Sequence, residues 1–579
     1  MKSIIAQIGK LNNWLDKHQV KTISFIIVLA VVNILVAKPL LTDKVFTVHD
    51  FTSPSRLFEL DQTFKAEQFP PRWSQNFGFG FGMPLFQFYA PLFFYLAEIP
   101  YLLGFSLMTS LKIILVLITL FGFYGMYLLA KKLTNHWGGL LAATTFTLAP
   151  YHAVNLYVRG AWAEYLAVAL IPWSFYFVVT LINSEKKLKP YIGLTLTLLA
   201  ILLSHNVSIV TFMPFWGGVS LGILLLSKKL KLWYLLALSV VQSVAVSAFF
   251  LIPAFVQKGY TRASSLTEGF SYFKLHFLYF RQLFVPNWKY GGSVLGIEDD
   301  MSFYLGNDIV IMAVLATVLI IYFYVAKKTQ EKKQELQTLV LFGLALLLAI
   351  ALTNFKSQRL WERLPLVSFI QFPWRFLGVA SFFLALLTAY VASFKKAAPL
   401  ITIFLIVTIA LNSQYFRPKD LIESGSIFEP TASFIAWRMS GILPDYVPSG
   451  TDWEHMQPAK ALTELVKGEG TIDVVTNNAN QIVLKANFSK AGEIKINRFY
   501  FPSWQFTSNG QKLDCKIEDN LYVCPVAQGQ SEIKMFWSEQ GINLWSDLVS
   551  IIAAMSLGGI ILFSKNSKQK FLHNSYFFA

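Results

Sequence analysis

The sequence predicts a polytopic α-helical membrane protein of about twelve spans plus a juxtamembrane or re-entrant segment, ending in an extracytoplasmic β-sandwich domain. Three observations predict it. The 579 residues are 55% hydrophobic and only 14% charged, with mean hydropathy +0.50, far too apolar for a soluble chain of this length. Apolar stretches long enough for a bilayer alternate with short lysine clusters. One long polar stretch, 412–541, carries no span, and within it residues 471–537 alternate apolar and polar with a period of two, the mark of strands with one buried face.

The helices come first. Spans are expected at 24–41, 109–130, 137–150, 163–182, 191–204, 208–226, 232–256, 308–326, 336–352, 376–394, 399–411 and 544–563, since about 20 apolar residues cross a bilayer. The segment before the first span is too polar and basic for a cleaved signal, so 24–41 reads as a retained signal-anchor. The net charge of +16 is no sign of nucleic-acid binding. It sits in clusters such as Lys131-Lys132, Lys186-Lys187, Lys228-Lys229 and Lys395-Lys396 between spans, where the positive-inside rule expects it. With Lys2, Lys10, Lys17 and Lys21 in the cytoplasm, all these clusters fall inside, provided that residues 83–105 do not cross. Pro84, Pro91, Pro100 and Glu98 interrupt that stretch, and proline breaks a helix interior. It is therefore expected to be interfacial or re-entrant. Both termini are then cytoplasmic in a plasma-membrane protein. Three regions follow: 1–411 as the membrane domain with its first outer loop at 42–108, 412–541 as the extracytoplasmic β-rich domain, and 542–579 as the last helix and tail.

In the β-rich region, Ser508-Asn509-Gly510 and Glu518-Asp519-Asn520 signal turns. A hairpin centred between Asp519 and Asn520 sets Cys515 opposite Cys524, close enough for a disulfide; two buried free thiols are the alternative. The glycines of Gly78-Phe-Gly80-Phe-Gly82 have aromatic spacers and lack the strand-turn-helix context of a nucleotide loop.

The same parity gathers the chemically able residues on the outer face. Asp50, just after the first span, is a candidate general base or metal ligand, with an ordinary loop carboxylate or helix cap as the bland reading. Its neighbour His49 is a second candidate. Arg56, Arg72 and Arg159 stand where the positive-inside rule disfavours them, and a guanidinium fork suits a phosphate. Their alternative is ion pairing, which the five-residue spacing to Glu164 favours for Arg159. Glu164, at the mouth of a span, must pair or face a wet cavity. His205 lies in a short polar connection and either satisfies helix ends or holds a phosphate or metal. Arg375 enters its span from outside and either snorkels to headgroups or binds a lipid phosphate.

The ordering of a first span, an outer loop with an aspartate, juxtamembrane segments, further spans and an outer β-rich domain resembles the GT-C class of membrane glycosyltransferases. Phe69-Pro-Pro-Arg-Trp73, Gly82-Met-Pro-Leu-Phe-Gln-Phe-Tyr-Ala-Pro91, Tyr157-Val-Arg-Gly-Ala-Trp-Ala-Glu164, Gln371-Phe-Pro-Trp-Arg-Phe376 and Phe501-Pro-Ser-Trp504 are similar to a bacterial group of YfhO-like proteins. Some of these are labelled 6-pyruvoyl-tetrahydropterin synthase-related, although this chain shows no pterin-enzyme domain. The resemblance implies an inverting transfer of a sugar from a polyprenyl-phosphate donor to an extracytoplasmic glycan, lipid or protein acceptor, among membrane lipids, with Asp50 in the catalytic position. It also implies that a divalent metal, Mg or Mn, is an option, with Asp50 and His205 as candidate ligands. His49 replaces the second acid found in some members. A lipid or glycan flippase, another transporter, and a non-catalytic envelope-assembly protein are the alternatives.

Overall fold

The computed structural model describes residues 7–575 apart from 8–9, 12, 16, 328–329, 365–366, 395–396 and 443. Lys2, Lys395 and Lys396 lie outside the described residues. Helices of nine residues or more are numbered α1 (His18–Ala37), α2 (Ser53–Lys65), α3 (Leu92–Leu102), α4 (Leu107–Leu133), α5 (His136–Thr147), α6 (Trp162–Asn183), α7 (Leu188–Ser204), α8 (Asn206–Leu226), α9 (Trp233–Val246), α10 (Ala248–Val256), α11 (Asn307–Lys327), α12 (Gln330–Thr353), α13 (Phe376–Ala389), α14 (Ala398–Asn412) and α15 (Ile542–Ser575). Among the described residues nine helical stretches are long and apolar enough to cross a bilayer, built on α1, α4, α6, α8 and α11–α15.

The other three expected spans differ. The stretch 232–256 is α9 and α10, bent by 73° at Ser247. The stretch 191–204 is α7, of 17 residues, and 137–150 is α5, of only 12. At 1.5 Å per residue α5 reaches about 18 Å, short of a roughly 30 Å core. Every α5 residue is buried, so its composition reflects burial among helices rather than contact with lipid.

The 42–106 loop begins and ends at one end of the helix bundle. Lys112 Nζ, in the first turns of α4, donates to the Thr42 carbonyl at 2.9 Å, just beyond α1. At the other end, Ser24 Oγ in α1 meets His136 Nε2, just beyond α4, at 3.1 Å. The two helices therefore run antiparallel. Within the loop α3 has 11 residues, too few to cross. The chain after α14 returns to the same end, where Val45 and Ile422 exchange backbone hydrogen bonds of 2.9 and 2.8 Å.

The β-rich region is a seven-stranded antiparallel sheet: β1 (Thr463–Asn477), β2 (Gln481–Ile496), β3 (Trp504–Ser508), β4 (Gln511–Lys512), β5 (Lys516–Glu518), β6 (Leu521–Val526) and β7 (Gly529–Trp537). Where two sheets of a sandwich were expected there is one continuous sheet. One edge of β2 pairs with β1; the other pairs first with β7 and then with β6. Its alternate residues Ile482, Leu484, Ala486 and Phe488 are buried. Loop residue Trp73 packs against Trp504 and Trp537 of the sheet, at 5.3 and 5.8 Å, so the first loop supplies cover that a second sheet would give. In the β5–β6 hairpin Glu518 faces Leu521, and a Cys515–Cys524 disulfide closes it.

The bend between α9 and α10 is held from outside. Pro253 has no N–H to offer the Phe249 carbonyl four residues earlier; Arg72 Nη1 takes that carbonyl at 2.7 Å. The Phe249 N–H, orphaned at the new helix start, donates to Ser550 Oγ of α15 at 2.7 Å. The remaining Arg72 nitrogens bind Glu539 at 3.1 Å and Asp547 at 2.8 Å. Removing one member of a buried ion pair costs about 3–5 kcal/mol. Arg72→Ala is therefore expected to lower the thermal unfolding midpoint in detergent sharply, and Arg72→Lys, with one nitrogen in place of three, to recover little of the loss. A second expectation concerns sidedness. The chain's two cysteines are joined to each other, so introduced thiols report alone. Cysteines at 50 and 205 should label from one side of the membrane, and those at 186 and 229 from the other.

Candidate active site

The segment that carries Asp50 is held against the chain between α5 and α6. The His49 N–H donates to the Val158 carbonyl at 3.0 Å and the Asp50 N–H to the Arg159 carbonyl at 2.8 Å. Residues 154–159 form a π-helical turn ended by Gly160 at φ +67°. A Cβ at 160 would lie 2.4 Å from Val48 Cγ2, so only glycine permits both the left-handed backbone and this close approach. The glycine of the Tyr157–Glu164 motif thus sets Asp50 beside Arg159.

The two strands of chain open into a cavity of about 650 Å³, within the range of small-molecule sites. His49, Asp50, Arg56, Arg159, Glu164, His205 and Arg375 all line it. Asp50 Oδ1 accepts from Thr52 Oγ1 at 2.7 Å and from Arg56 Nη1 at 3.1 Å; Oδ2 accepts from the same Nη1 at 3.0 Å. A carboxylate has about four acceptor positions, so one remains, on Oδ2, and 35% of the side chain is exposed. Arg56 also donates to the Tyr89 hydroxyl at 3.1 Å and lies over its ring. The Asp50 charge holds the Arg56 guanidinium above its ordinary value, against the opposing effect of burial, which is the larger single influence. His49 Nε2 lies 3.0 Å from the Tyr290 carbonyl. A carbonyl only accepts, so Nε2 carries the proton and the neutral ring keeps Nδ1 as an acceptor.

Below this rim sits a buried charge cluster. Arg159 meets Glu164 through both terminal nitrogens, at 3.0 and 2.9 Å, and Arg375 Nε approaches Glu164 Oε2 at 3.3 Å. Tyr151 donates to Glu164 Oε1 at 2.7 Å. Arg375 Nη1 donates to the Ile370 carbonyl at 2.7 Å and to Gln371 Oε1 at 3.0 Å. Its buried Nε makes no hydrogen bond and its Nη2 has no acceptor among the described residues; the Arg159 guanidinium lies 4.5 Å from the centre of the Trp374 ring. Sequence reasoning expected the Arg159–Glu164 pair; the second arginine on the same carboxylate was not foreseen.

Arg72 is the exception among the expected phosphate ligands. It is absent from the cavity and fully buried, with all three nitrogens engaged by Glu539, Phe249 and Asp547. Its partners lie more than 170 residues away in sequence, so the loop alone could not reveal them. Lys258 was missed. It lines the cavity between the Phe255 and Phe369 rings at 4.8 and 5.2 Å, with no acidic partner among the described residues. The available signal was a lysine at the start of the connection between α10 and α11, on the side expected to be outer, where lysines are disfavoured. His205 Nδ1 meets Ser208 Oγ at 2.9 Å. Among the described residues no three His, Cys, Asp or Glu side chains are grouped to hold a metal.

Four cations, Arg56, Arg159, Arg375 and Lys258, face two carboxylates, Asp50 and Glu164. The lining also has an apolar part, formed by Val207 and Val210 of α8 and by Phe250, Leu251, Ala254 and Phe255 of α10. Fold and site together define a polytopic membrane protein with an anion-favouring, partly apolar cavity and a β-sheet domain. The chain belongs to the membrane-protein family described as 6-pyruvoyl-tetrahydropterin synthase related, whose family model matches residues 86–418. An uncharacterized protein of Lactococcus lactis subsp. cremoris is 25% identical over 258 residues, which is 43% of this chain and 42% of that protein. Among solved structures, a mycobacterial arabinofuranosyltransferase AftD aligns at TM-score 0.39 and 16% identity, over 69% of this chain and 28% of its own. ArnT from Cupriavidus metallidurans, bound to undecaprenyl phosphate, aligns at 0.31 and 14%, over 68% and 89%.

Glu164→Gln removes the anion that two buried arginines share. Leaving buried charges unpaired costs about 3–5 kcal/mol, so thermal unfolding in detergent is expected at a markedly lower temperature, with a smaller loss for Glu164→Asp.

Proposed function

We propose that the protein is a membrane glycosyltransferase, moving a sugar from a polyprenyl-phosphate donor to an extracytoplasmic acceptor. One observation carries this reading: a single cavity unites a half-exposed carboxylate, a surplus of cations and an apolar wall. Each part matches one part of such a substrate pair. The wall between α8 and α10 accommodates the lipid chain. Arg375 and Lys258, whose charges are incompletely used by the protein, hold the donor phosphate, and charge-assisted hydrogen bonds of this kind contribute about 1.5–3 kcal/mol each. The vacant acceptor position on Asp50 Oδ2 takes a hydroxyl of the acceptor.

The step then balances without a further reactant. The acceptor oxygen attacks the anomeric carbon from the face opposite the phosphate. The bond from that carbon to the phosphate oxygen breaks, and polyprenyl phosphate leaves with the electron pair, stabilised by the arginines. The hydroxyl proton passes to Asp50, or through it to the free Nδ1 of His49. The anomeric centre is inverted.

The test is to incubate purified protein in nanodiscs with a panel of labelled polyprenyl-phosphate sugars and follow loss of donor. Asp50→Asn keeps the shape and removes the base; a positioned base contributes about 10²–10⁴-fold, so turnover should fall by that factor while donor binding persists. Arg375→Ala should weaken donor binding by roughly 10–100-fold, from one or two lost charge-assisted bonds. Equal donor loss with the Asp50→Asn variant, or no donor bound or consumed from the panel, would overturn the proposal.

A further inference from the structure

Gln371 has a backbone that its side chain does not favour. Its φ is +64°, in the left-handed region where an L-residue's Cβ crowds the following carbonyl and glycine meets no such clash. The local cause is a sharp change of direction. The turn Val367–Ile370 ends at this residue, whose N–H donates back to the Ser368 carbonyl at 3.1 Å. Phe372 must then be extended, because it precedes Pro373, and it is, at φ −122° and ψ 104°. Glycine is the usual residue at such a turn end. Among the described residues seven non-glycine positions have a left-handed backbone, and Gln371 is the one of them that lines the cavity. Strain of this kind persists where the surroundings hold it, and it collects at ligand clamps.

The side chain has one polar atom engaged. Arg375 Nη1 donates to Gln371 Oε1 at 3.0 Å. A guanidinium only donates, so the amide oxygen is the atom that faces it, and the orientation of the carboxamide is fixed. Nε2 then carries two N–H donors, with no acceptor among the described residues, on a residue that is only partly buried. Arg375 is in the same state: Nη1 is engaged and Nη2 has no acceptor among the described residues. Two hydrogen-bonded side chains that line one cavity therefore both carry unused donors. That set suits an oxyanion with at least two oxygens. A carboxamide supplies hydrogen bonds there without placing a further charge near Arg159, which already shares Glu164 with Arg375.

We infer that Gln371 binds the donor phosphate directly: its Nε2 donates to one oxygen while Arg375 Nη2 donates to another. This rests on reading the cavity as a polyprenyl-phosphate site. The rival role is a positioning one, in which Gln371 only holds Arg375.

The test measures binding of undecaprenyl phosphate to the full-length protein in nanodiscs, with undecaprenol as the uncharged control. Gln371→Gly should weaken binding of the phosphate about tenfold, the worth of one hydrogen bond to a charged group, and leave undecaprenol binding unchanged. It should not lower the thermal unfolding midpoint, since glycine relieves the backbone. Added to Arg375→Ala, Gln371→Gly should cost a further several-fold, whereas a residue that acts only through Arg375 would cost nothing more. A measurement on the unmutated protein stands beside these variants. With ¹⁵N in its glutamine side chains and a phosphorus-free detergent, the frozen complex should show a ¹⁵N–³¹P dipolar coupling that is absent in Gln371→Gly. Unchanged affinity in Gln371→Gly, no further loss in the Arg375→Ala background, or no coupling that depends on Gln371 would each overturn the inference. Donor turnover is scored separately. Weakened binding without turnover in the wild type keeps the phosphate contact and removes the transferase; turnover with unchanged binding in Gln371→Gly does the reverse.

Discussion

One carboxylate determines the floor of the cavity. Glu164 enters at the first turn of α6 and is shared by Arg159, from the π-helical turn before it, and Arg375, from the turn that opens α13. Those two approaches come from chain segments more than 200 residues apart. Neither arginine could be buried at this depth alone, because a lone buried charge is far too costly. The acid therefore has to be present for either to be placed, and the position of both fixes where an incoming anion finds positive charge. Tyr151 and Asn155 complete the shell by bonding the acid and the Arg159 guanidinium.

A second buried charge centre, around Arg72, does different work. It joins the first loop to Glu539 after β7, to Asp547 in α15 and to the break between α9 and α10. The β-sheet domain and the last helix are thus tied to the helix whose apolar side forms one cavity wall. The bend in that helix owes its two unsatisfied backbone groups to Ser247 and Pro253, and both are satisfied by groups from other parts of the chain. The glycine-rich stretch belongs with this joint. A Cβ on Gly82 would meet the Trp73 ring at 2.4 Å, so the glycine exists to let the loop close over an indole that the sheet domain packs upon.

Much of this could be read from sequence, for definite reasons. Hydropathy located every long helix because lipid exposure and apolar length are the same quantity seen from outside. It misjudged α5 because a helix buried among helices is as apolar as one in lipid, whatever its length. It read 232–256 as one rod because Ser247 gives no strong break signal, although Pro253 did mark the place where a carbonyl would be free. The cavity residues were legible because arginines on the lysine-poor side of a membrane chain are anomalous, and seven of the eight residues singled out meet there. Arg72 was equally anomalous but for another reason: its partners Glu539 and Asp547 arrive from the far end of the chain. The alternation in 471–537 gave the strands and the hairpin of Cys515 and Cys524, while the single continuous sheet depended on β2 changing partners midway, which alternation does not encode.

The contrast between the two charge centres separates structure from chemistry. Arg72 spends its Nε, Nη1 and Nη2 on three protein acceptors and has nothing left to offer a ligand. Arg375 spends Nη1 on a carbonyl and an amide, keeps its buried Nε 3.3 Å from a shared acid without a hydrogen bond, and leaves Nη2 without a protein acceptor among the described residues. A buried donor without a partner costs about 1–3 kcal/mol, so a fold tolerates one where water or a ligand supplies the missing acceptor. The same accounting applies to Asp50, where Thr52 and Arg56 occupy three acceptor positions and leave one toward the cavity. An acceptor vacancy on Asp50 and donor vacancies on Arg375 line one space. A molecule that fills both must present a hydroxyl to the first and an anion to the second, and that requirement narrows the chemistry further than the identity of any single residue.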